Sequence, residues 1–188
     1  MLTTYAIFTD EMLNILASMK HKTLKSFEGD FSSKFDYVDG IFRINFNGFV
    51  IDVSCFTQPK ARLNYDGSSS LEDFAVFSCV KKKPFEKIDA YFSNPPLCFV
   101  KNEVVSEVLV VRDDINISSG EHIVMNQALI IKTREKAYTF SRKDWFIENI
   151  SITTSDSLKG FRTVKQVKTE WEDEGLFKVE VKREIMFL

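Results

Sequence analysis

Glycine and proline are scarce in this chain, with seven and four residues among 188. Linker-rich and intrinsically disordered chains hold many more of both, so the composition excludes these classes. The glycines are also scattered, and no stretch matches G-x-x-x-x-G-K-S/T or G-x-G-x-x-G. Because those loops use glycine to bring backbone N–H groups against phosphate, a classical nucleotide-binding turn is not expected.

Cysteine and histidine are too few and too widely spaced to form a recognisable metal site. Cys55, Cys79 and Cys98 form no C-x-x-C pair, and His21 and His122 form no H-E-x-x-H motif. We therefore expect no metal and no cofactor, and unpaired thiols fit a reducing cytosol. A catalytic Cys98–His122 pair stays open as an alternative, because such partners meet in space rather than in sequence.

Neither sign of charge is in excess. The 25 basic and 27 acidic residues give a formal net charge of −2. This balance argues against a protein that is basic throughout, as many nucleic-acid-binding and membrane-surface proteins are. No apolar run reaches the length of a membrane span, and Met1 to Asp10 lack the basic residues of a signal peptide. We expect a cytoplasmic location and no membrane partner.

Phenylalanine, by contrast, is abundant, with 18 residues, and aromatic side chains suit a half-buried sheet. Asn47-Gly48 is the sharpest strand signal, because both residues accept the positive φ of a type I′ turn. A two-residue turn there aligns apolar residues on one face and an opposite-charge pair on the other: Phe42–Val53, Ile44–Ile51 and Arg43–Asp52. Pattern and turn therefore agree on one register.

An apolar stripe at helical spacing marks the N-terminal region. Its members are Phe8, Met12, Ile15, Leu16 and Met19. Thr9 or Asp10 is expected to cap a helix here, and because Tyr5 continues the stripe backwards, a start near Thr3 or Thr4 is also expected. We expect this helix to pack on the sheet, with docking on a partner protein as the alternative. The predicted fold class is α+β, a mainly antiparallel β-sheet with an N-terminal amphipathic helix packed on it.

Turn residues suggest how the chain is divided. The stretch from Gln58 to Ser70 is expected to be a mobile surface loop. Ser93-Asn94-Pro95-Pro96 breaks regular structure, so residues 1–94 are predicted as a helix and β-hairpin lobe and residues 95–188 as an antiparallel β lobe. The alternative is one continuous domain.

The C-terminal region predicts a second hairpin. Its turn is Asp173-Glu174-Gly175, with glycine at the left-handed bulge position. The hairpin aligns Trp171–Phe177, Thr169–Val179 and Val167–Val181. Its arm ends in the apolar run Ile185–Leu188, which must be covered by the protein's own core or by a second copy. We therefore expect self-association through this arm.

Two short segments combine cations with aromatic rings, as nucleic-acid-binding surfaces do. The first holds Lys81, Lys82 and Lys83 before Phe85, and the second holds Arg142 and Lys143 before Trp145 and Phe146. We predict Lys81, Lys82, Lys83, Arg142, Lys143 and Trp145 as candidate binding residues. The ordinary explanation is a solvated strand end in the first segment and core aromatics in the second.

No catalytic constellation is evident in the sequence, and we predict no catalytic residues. The leading hypothesis is a non-enzymatic interaction or binding protein inside the cell, self-associating through its C-terminal arm. A nucleic-acid-binding module is the alternative. A hydrolase with an unrecognised acidic site at Asp52 or Asp113 is the second alternative, and a nuclease would combine Asp52 with the strand motif Glu180-Val181-Lys182.

Overall fold

The computed structural model describes residues 1–63, 66–87, 96–172 and 177–188. These described residues form ten strands and two short helices. In chain order these elements are β1 Leu2–Ala6, α1 Asp10–Ala17, β2 Thr23–Phe31, β3 Tyr37–Phe46, β4 Val50–Leu63, β5 Ser69–Lys82, β6 Leu97–Ile117, β7 Glu121–Thr133, β8 Ala137–Arg142, β9 Asn149–Ser155, α2 Val164–Trp171 and β10 Val179–Phe187.

The predicted fold class is wrong. Strands account for 62% of the described residues and helices for only 9%, so this is a mostly β fold rather than an α+β fold. The sheet is mixed, because β1 pairs with β7 in parallel. The chain also begins with a strand, since Leu2 to Ala6 lie along β7 and the helix starts only at Asp10. Thr9 caps the helix, which confirms the later of the two expected starts. Tyr5, which continues the helical stripe in the sequence, is instead exposed on β1.

Six strands of the sheet pair in a closed ring. The order β7-β8-β9-β3-β2-β6 returns to its start because β6 also pairs with β7. β1 is attached to β7, β10 to β6, and the β4–β5 hairpin to β3. Strands from both parts of the predicted two-lobe division therefore lie next to each other in one sheet. The predicted boundary itself falls in residues 88–95, outside the described residues, and the division stays a prediction.

Aromatic side chains fill the space inside the ring. Phe27 on β2 lies 5.2–6.5 Å, between ring centroids, from Phe42 on β3 and from Tyr138 and Phe140 on β8. Because β8 is not a neighbour of β2 in the ring, the contacts of Phe27 with Tyr138 and Phe140 cross the interior. Aromatic pairs at such distances add to the energy of area burial, which accounts for the many phenylalanines.

The Asn47-Gly48 hairpin has the predicted register. Phe42 pairs with Val53, Ile44 with Ile51 and Arg43 with Asp52. The turn type was predicted wrongly, because positive φ occurs at Gly48 (85°) and not at Asn47, whereas a type I′ turn needs it at both.

The predicted C-terminal hairpin is wrong in the part that is described. Val164–Trp171 is a helix whose first turn carries a capping box between Thr163 and Gln166. Val167 and Trp171, four residues apart, are both buried on one face of this helix. β10 pairs instead with β6, with Val179 opposite Ile117. The predicted turn at Asp173-Glu174-Gly175 lies outside the described residues.

Within the described ranges, neither α1 nor α2 has the length and apolar character of a transmembrane helix.

Candidate functional site

A cavity of about 290 Å³ lies where the β4–β5 hairpin, the start of β7 and helix α2 meet. Its aromatic lining comes from Trp145, Phe146, Trp171 and Phe177. Its charged lining comes from Arg62, Glu72, Glu121 and Glu170. The site therefore combines apolar walls with a few charged groups, which is the usual make-up of a small-molecule pocket.

The β4–β5 hairpin brings two charged residues to the cavity. Gln58 to Ser70 was expected to be a surface loop, but β4 continues to Leu63 and β5 begins at Ser69. Arg62 pairs in register with Ser70, two residues before Glu72, so both side chains lie on one face. The long hairpin thereby carries Arg62 and Glu72 to the beginning of β7, where Glu121 lies.

Arg62 is the centre of the charged wall. Its Nε donates a hydrogen bond to Oε1 of Glu121 at 2.5 Å, and its Nη1 donates to Oε2 of Glu72 at 2.9 Å. The guanidinium also lies 5.0 Å from the centroid of the Trp171 ring. The Glu121 side chain is only 2% exposed, so its charge depends on Arg62 for compensation.

A second arginine, Arg162, does not line the cavity but binds Glu170, which does. Nε of Arg162 donates to Oε1 of Glu170 at 2.8 Å, and Nη1 donates to the carbonyl oxygen of Arg142 at 3.0 Å. Its guanidinium lies 5.0 Å from the centroid of the Trp145 ring. Arg162 precedes α2, so these bonds attach the helix to the segment that carries Trp145.

The chain has two tryptophans, and both line the cavity. Their ring centroids are 5.4 Å apart. The Trp145 carbonyl accepts a hydrogen bond from Ala75 N–H at 2.9 Å, which fixes the segment against β5. Nε1 of Trp171 is buried and has no hydrogen-bond partner among the described residues. Both indole rings of the chain therefore lie at this one cavity.

The carboxylates outnumber the guanidiniums around the cavity. Glu72, Glu121 and Glu170 face Arg62 and Arg162, which leaves one negative charge in excess. Glu72 and Glu170 are partly exposed, and each accepts a guanidinium hydrogen bond on one oxygen. Among the described residues nothing donates to the second oxygen of either group. These oxygens are free to accept hydrogen bonds from a ligand.

The arrangement does not resemble a metal centre. In the described part of the chain, no group of three or more His, Cys, Asp or Glu side chains is placed to hold a metal ion. The carboxylates of the cavity are instead held by arginine.

The predicted binding residues lie in two separate places. Lys82 Nζ is 3.3 Å from Oδ2 of Asp52, and Lys81 Nζ is 4.3 Å from the centroid of the Phe49 ring. Lys83 is exposed at the end of the same strand. Trp145 contacts β5 at Ala75, six residues from Lys81, which is about 20 Å along a strand.

The second group consists of Arg142, Lys143 and Trp145, all of which contact Arg162. Its members differ in solvent exposure. Arg142 is buried; its Nε donates to the carbonyl oxygen of Asn126 at 2.7 Å, and burial lowers its pKa to about 10. Lys143 is exposed. Only Trp145, of the six predicted residues, lines the cavity. Nucleic-acid binding through these residues stays a prediction.

The carboxylates of the hydrolase alternative are both paired with arginine. Asp52 accepts hydrogen bonds from Arg43 at 2.6 and 2.9 Å, and Asp113 accepts two from Arg183 at 2.7 Å. The nuclease arrangement is wrong, because β10 with Glu180 pairs with β6 and not with the strand that carries Asp52.

The Cys98–His122 pair is also wrong. Cys98 lies at one end of β6 opposite Glu28, whereas His122 pairs with Asn116 at the other end of that strand. His122 Nε2 instead lies 3.1 Å from Oδ1 of Asp114.

Sequence reasoning missed the charged residues of the cavity. Arg62 stood in a predicted loop and Glu170 in a predicted hairpin. One signal could have placed Glu170, namely the T-x-x-Q capping box at Thr163, which announces a helix. Comparison with protein-family models, with curated proteins and with solved structures found no match for this chain.

Proposed function

We propose that this chain is a non-enzymatic binding protein whose ligand is a small organic cation carrying an aromatic or alkyl group. One observation carries the proposal. The cavity joins aromatic walls to three carboxylates that only two guanidiniums oppose.

Charge favours a cation over an anion. An anion would have to compete with Glu72 and Glu121 for Arg62, which already donates to both. A ligand ammonium group can donate to the second carboxylate oxygens of Glu72 and Glu170 without displacing an existing bond. Cations are also attracted to the faces of aromatic rings, most strongly to tryptophan.

Size limits the ligand. A volume of about 290 Å³ is at the lower end of the range for small-molecule sites. It accommodates an amine with one ring or a short alkyl chain. The aromatic side chains Trp145, Trp171 and Phe146 would contact the apolar part, while Glu72 and Glu170 at the exposed side would contact the charged end.

The charge pairing of the acidic residues supports a binding role rather than a catalytic one. Each carboxylate of the cavity is held by a guanidinium. A carboxylate whose oxygen already accepts a hydrogen bond from a guanidinium is held in one orientation, which suits a group that positions a ligand. We further propose a reducing compartment such as the cytosol, since all three cysteines are unpaired.

Tryptophan fluorescence tests the ligand class directly, because both indoles of the chain line the cavity. Three probes of similar size separate charge from shape: benzylammonium, benzyl alcohol and benzoate. We expect saturable quenching with benzylammonium, weaker binding of benzyl alcohol and none of benzoate. An equal response to all three, or the tightest binding by benzoate, would contradict the proposal.

A matched pair of variants locates the binding. Glu72→Gln removes one carboxylate charge from the cavity and is expected to weaken benzylammonium about tenfold, or about 1.4 kcal/mol. Glu135→Gln changes the same chemistry at an exposed turn between β7 and β8 and should leave the affinity unchanged. Circular dichroism of both variants checks that the fold is retained.

A further inference from the structure

β10 is an edge strand with one open side. Leu188 N–H donates to the Val108 carbonyl at 2.9 Å, and Ser118 N–H donates to the Lys178 carbonyl at 2.9 Å. Because hydrogen bonding alternates along an antiparallel pair, the even-numbered backbone groups of β10 are directed to β6 and the odd-numbered groups away from it. Among the described residues, β10 pairs with no strand other than β6.

We propose that two copies of this chain associate through the open edges of β10, antiparallel to each other, with the twofold axis at Arg183. This inference does not depend on the proposed ligand. The pairing extends the sheet of one copy into the other and satisfies the open backbone groups of both strands.

The order of charges on β10 carries the proposal. Lys182 and Glu184 are exposed, and an axis at Arg183 places Lys182 of each copy opposite Glu184 of the other. A shift of the axis by one residue, to Lys182 or to Glu184, brings like charges together at the axis. Opposite-charge pairs directly across strands stabilise a sheet and like charges destabilise it, so the strand is complementary to itself in this register.

Apolar residues follow the same symmetry. The axis at Arg183 places Ile185 opposite Val181 and Phe187 opposite Val179. Phe187 is 68% exposed in the single chain. An exposed large apolar side chain on an edge strand is unfavourable in a protein that stays a monomer. A neighbouring register with its axis at Val181 also pairs lysine with glutamate, but it leaves Phe187 outside the strand pairing. The axis at Arg183 pairs all nine residues of β10.

The two copies of Arg183 lie opposite each other at the axis, but their positive charges are not free to repel each other. Its guanidinium donates two hydrogen bonds to Asp113, each at 2.7 Å, and the Asp113 side chain is fully buried. The positive charge nearest the axis is therefore neutralised within each copy.

Sedimentation equilibrium of the full chain gives the first test. We expect a species of twice the chain mass of 21.7 kDa. A single species at the chain mass across the accessible concentration range would overturn the proposal. Removing residues 182–188 is not a clean test, because Met186 and Leu188 pack against the main core.

Two charge-reversal variants test the register. With the axis at Arg183, residue 182 of each copy faces residue 184 of the other. Lys182→Glu alone therefore places two acidic side chains opposite each other at both of these positions, and Glu184→Lys alone places two basic ones there. Each is expected to weaken self-association about tenfold or more, which corresponds to about 1.4 kcal/mol. An equimolar mixture of the two variants restores opposite charges at both positions, so the dimer should return as a heterodimer. If the twofold axis lay at Val181 instead, association in the mixture would remain weak.

Controls separate loss of the interface from loss of the fold. Lys182 lies opposite Asp114 and Glu184 opposite Arg112 within the chain, so urea unfolding of each variant measures any internal cost. Arg134→Glu makes an equal charge change at an exposed turn and should leave the dimer intact. If both β10 variants fold and dimerise as tightly as the native chain, or the mixture fails to recover, the proposal is wrong.

Discussion

The Nε atom of Arg62 donates a hydrogen bond to Oε1 of Glu121 at 2.5 Å and so joins the β4–β5 hairpin to the beginning of β7. The Glu121 side chain is almost completely shielded from water. A buried carboxylate without a counter-charge is costly, so this pair is both part of the cavity wall and a point on which the fold depends.

Replacing Arg62 should therefore destabilise the protein strongly. Arg62→Met is expected to lower the free energy of unfolding by about 3–5 kcal/mol, because it leaves the Glu121 charge buried and unpaired. The double variant Arg62→Met with Glu121→Met should recover much of this loss, since no charge is then buried. Urea unfolding measures both effects. If the double variant is as unstable as the single one, the unpaired charge is not the cause.

The capping box of α2 predicts a smaller and more local effect. Thr163→Ala removes the side chain that accepts a hydrogen bond from Gln166 N–H and should destabilise the protein by about 1 kcal/mol. Thr169→Ala makes the same chemical change at an exposed position inside the helix. Alanine is the better helix former, so this control should be neutral or slightly stabilising. Thermal unfolding followed by circular dichroism compares the two, and a destabilising Thr169→Ala would argue against a helix.

Two glycines with positive φ should differ sharply in their tolerance of a side chain. Gly48 has a φ of 85° and open space where a Cβ would lie, so Gly48→Ala should cost only about 1 kcal/mol of backbone strain. At Gly160 an added Cβ would lie 2.3 Å from the Cβ of Thr153. Gly160→Ala is therefore expected to cost about 3 kcal/mol or more, since both strain and overpacking act. Equal costs in urea unfolding would contradict the packing described at Gly160.

Alkaline pH should destabilise the fold through the buried cysteines. Burial raises the pKa of Cys55 to about 11 and that of Cys79 to about 12, from 9.0. Above pH 9 the unfolded chain releases thiol protons that the folded chain still holds, so the stabilising contribution of both thiols falls as pH rises towards their folded pKa values. Between pH 9 and pH 10 the free energy of unfolding should drop by about 2 kcal/mol.

Cys55→Ala provides the control for this pH dependence. Removing one of the two buried thiols should leave about half of the drop between pH 9 and pH 10. Urea unfolding at the two pH values gives the comparison for the native chain and the variant. A variant that loses as much stability as the native chain would show that other groups titrate in this range.

The sequence was most informative where a signal is local. The Asn47-Gly48 hairpin has its predicted register because alternation of apolar residues and the Arg43–Asp52 pair all depend on neighbouring positions along two adjacent strands. The extended N-terminal helix failed because Thr3 to Tyr5 fit either a helix or a strand, and the parallel pairing of β1 with distant β7 decides between them.

The C-terminal error has a similar cause. Val167, Thr169 and Trp171 alternate as in a strand, while Val167 and Trp171 also fit one face of a helix. The capping box at Thr163 favours the helix, and packing of Val167 and Trp171 beside Val179 of β10 stabilises it. When the spacing of apolar residues fits both a strand and a helix, the surface available for burial decides which of the two forms.

The β-rich character of the chain and the register of one hairpin follow from the sequence alone, because composition, turn residues and alternation act over short distances. The tertiary structure is needed to bring Arg62, Glu72, Glu121, Glu170 and the two tryptophans around one cavity. These residues come from strands, a helix and the segment between β8 and β9, which are far apart in the chain. Their meeting depends on the closure of the strand ring and on the long β4–β5 hairpin, which no local pattern encodes.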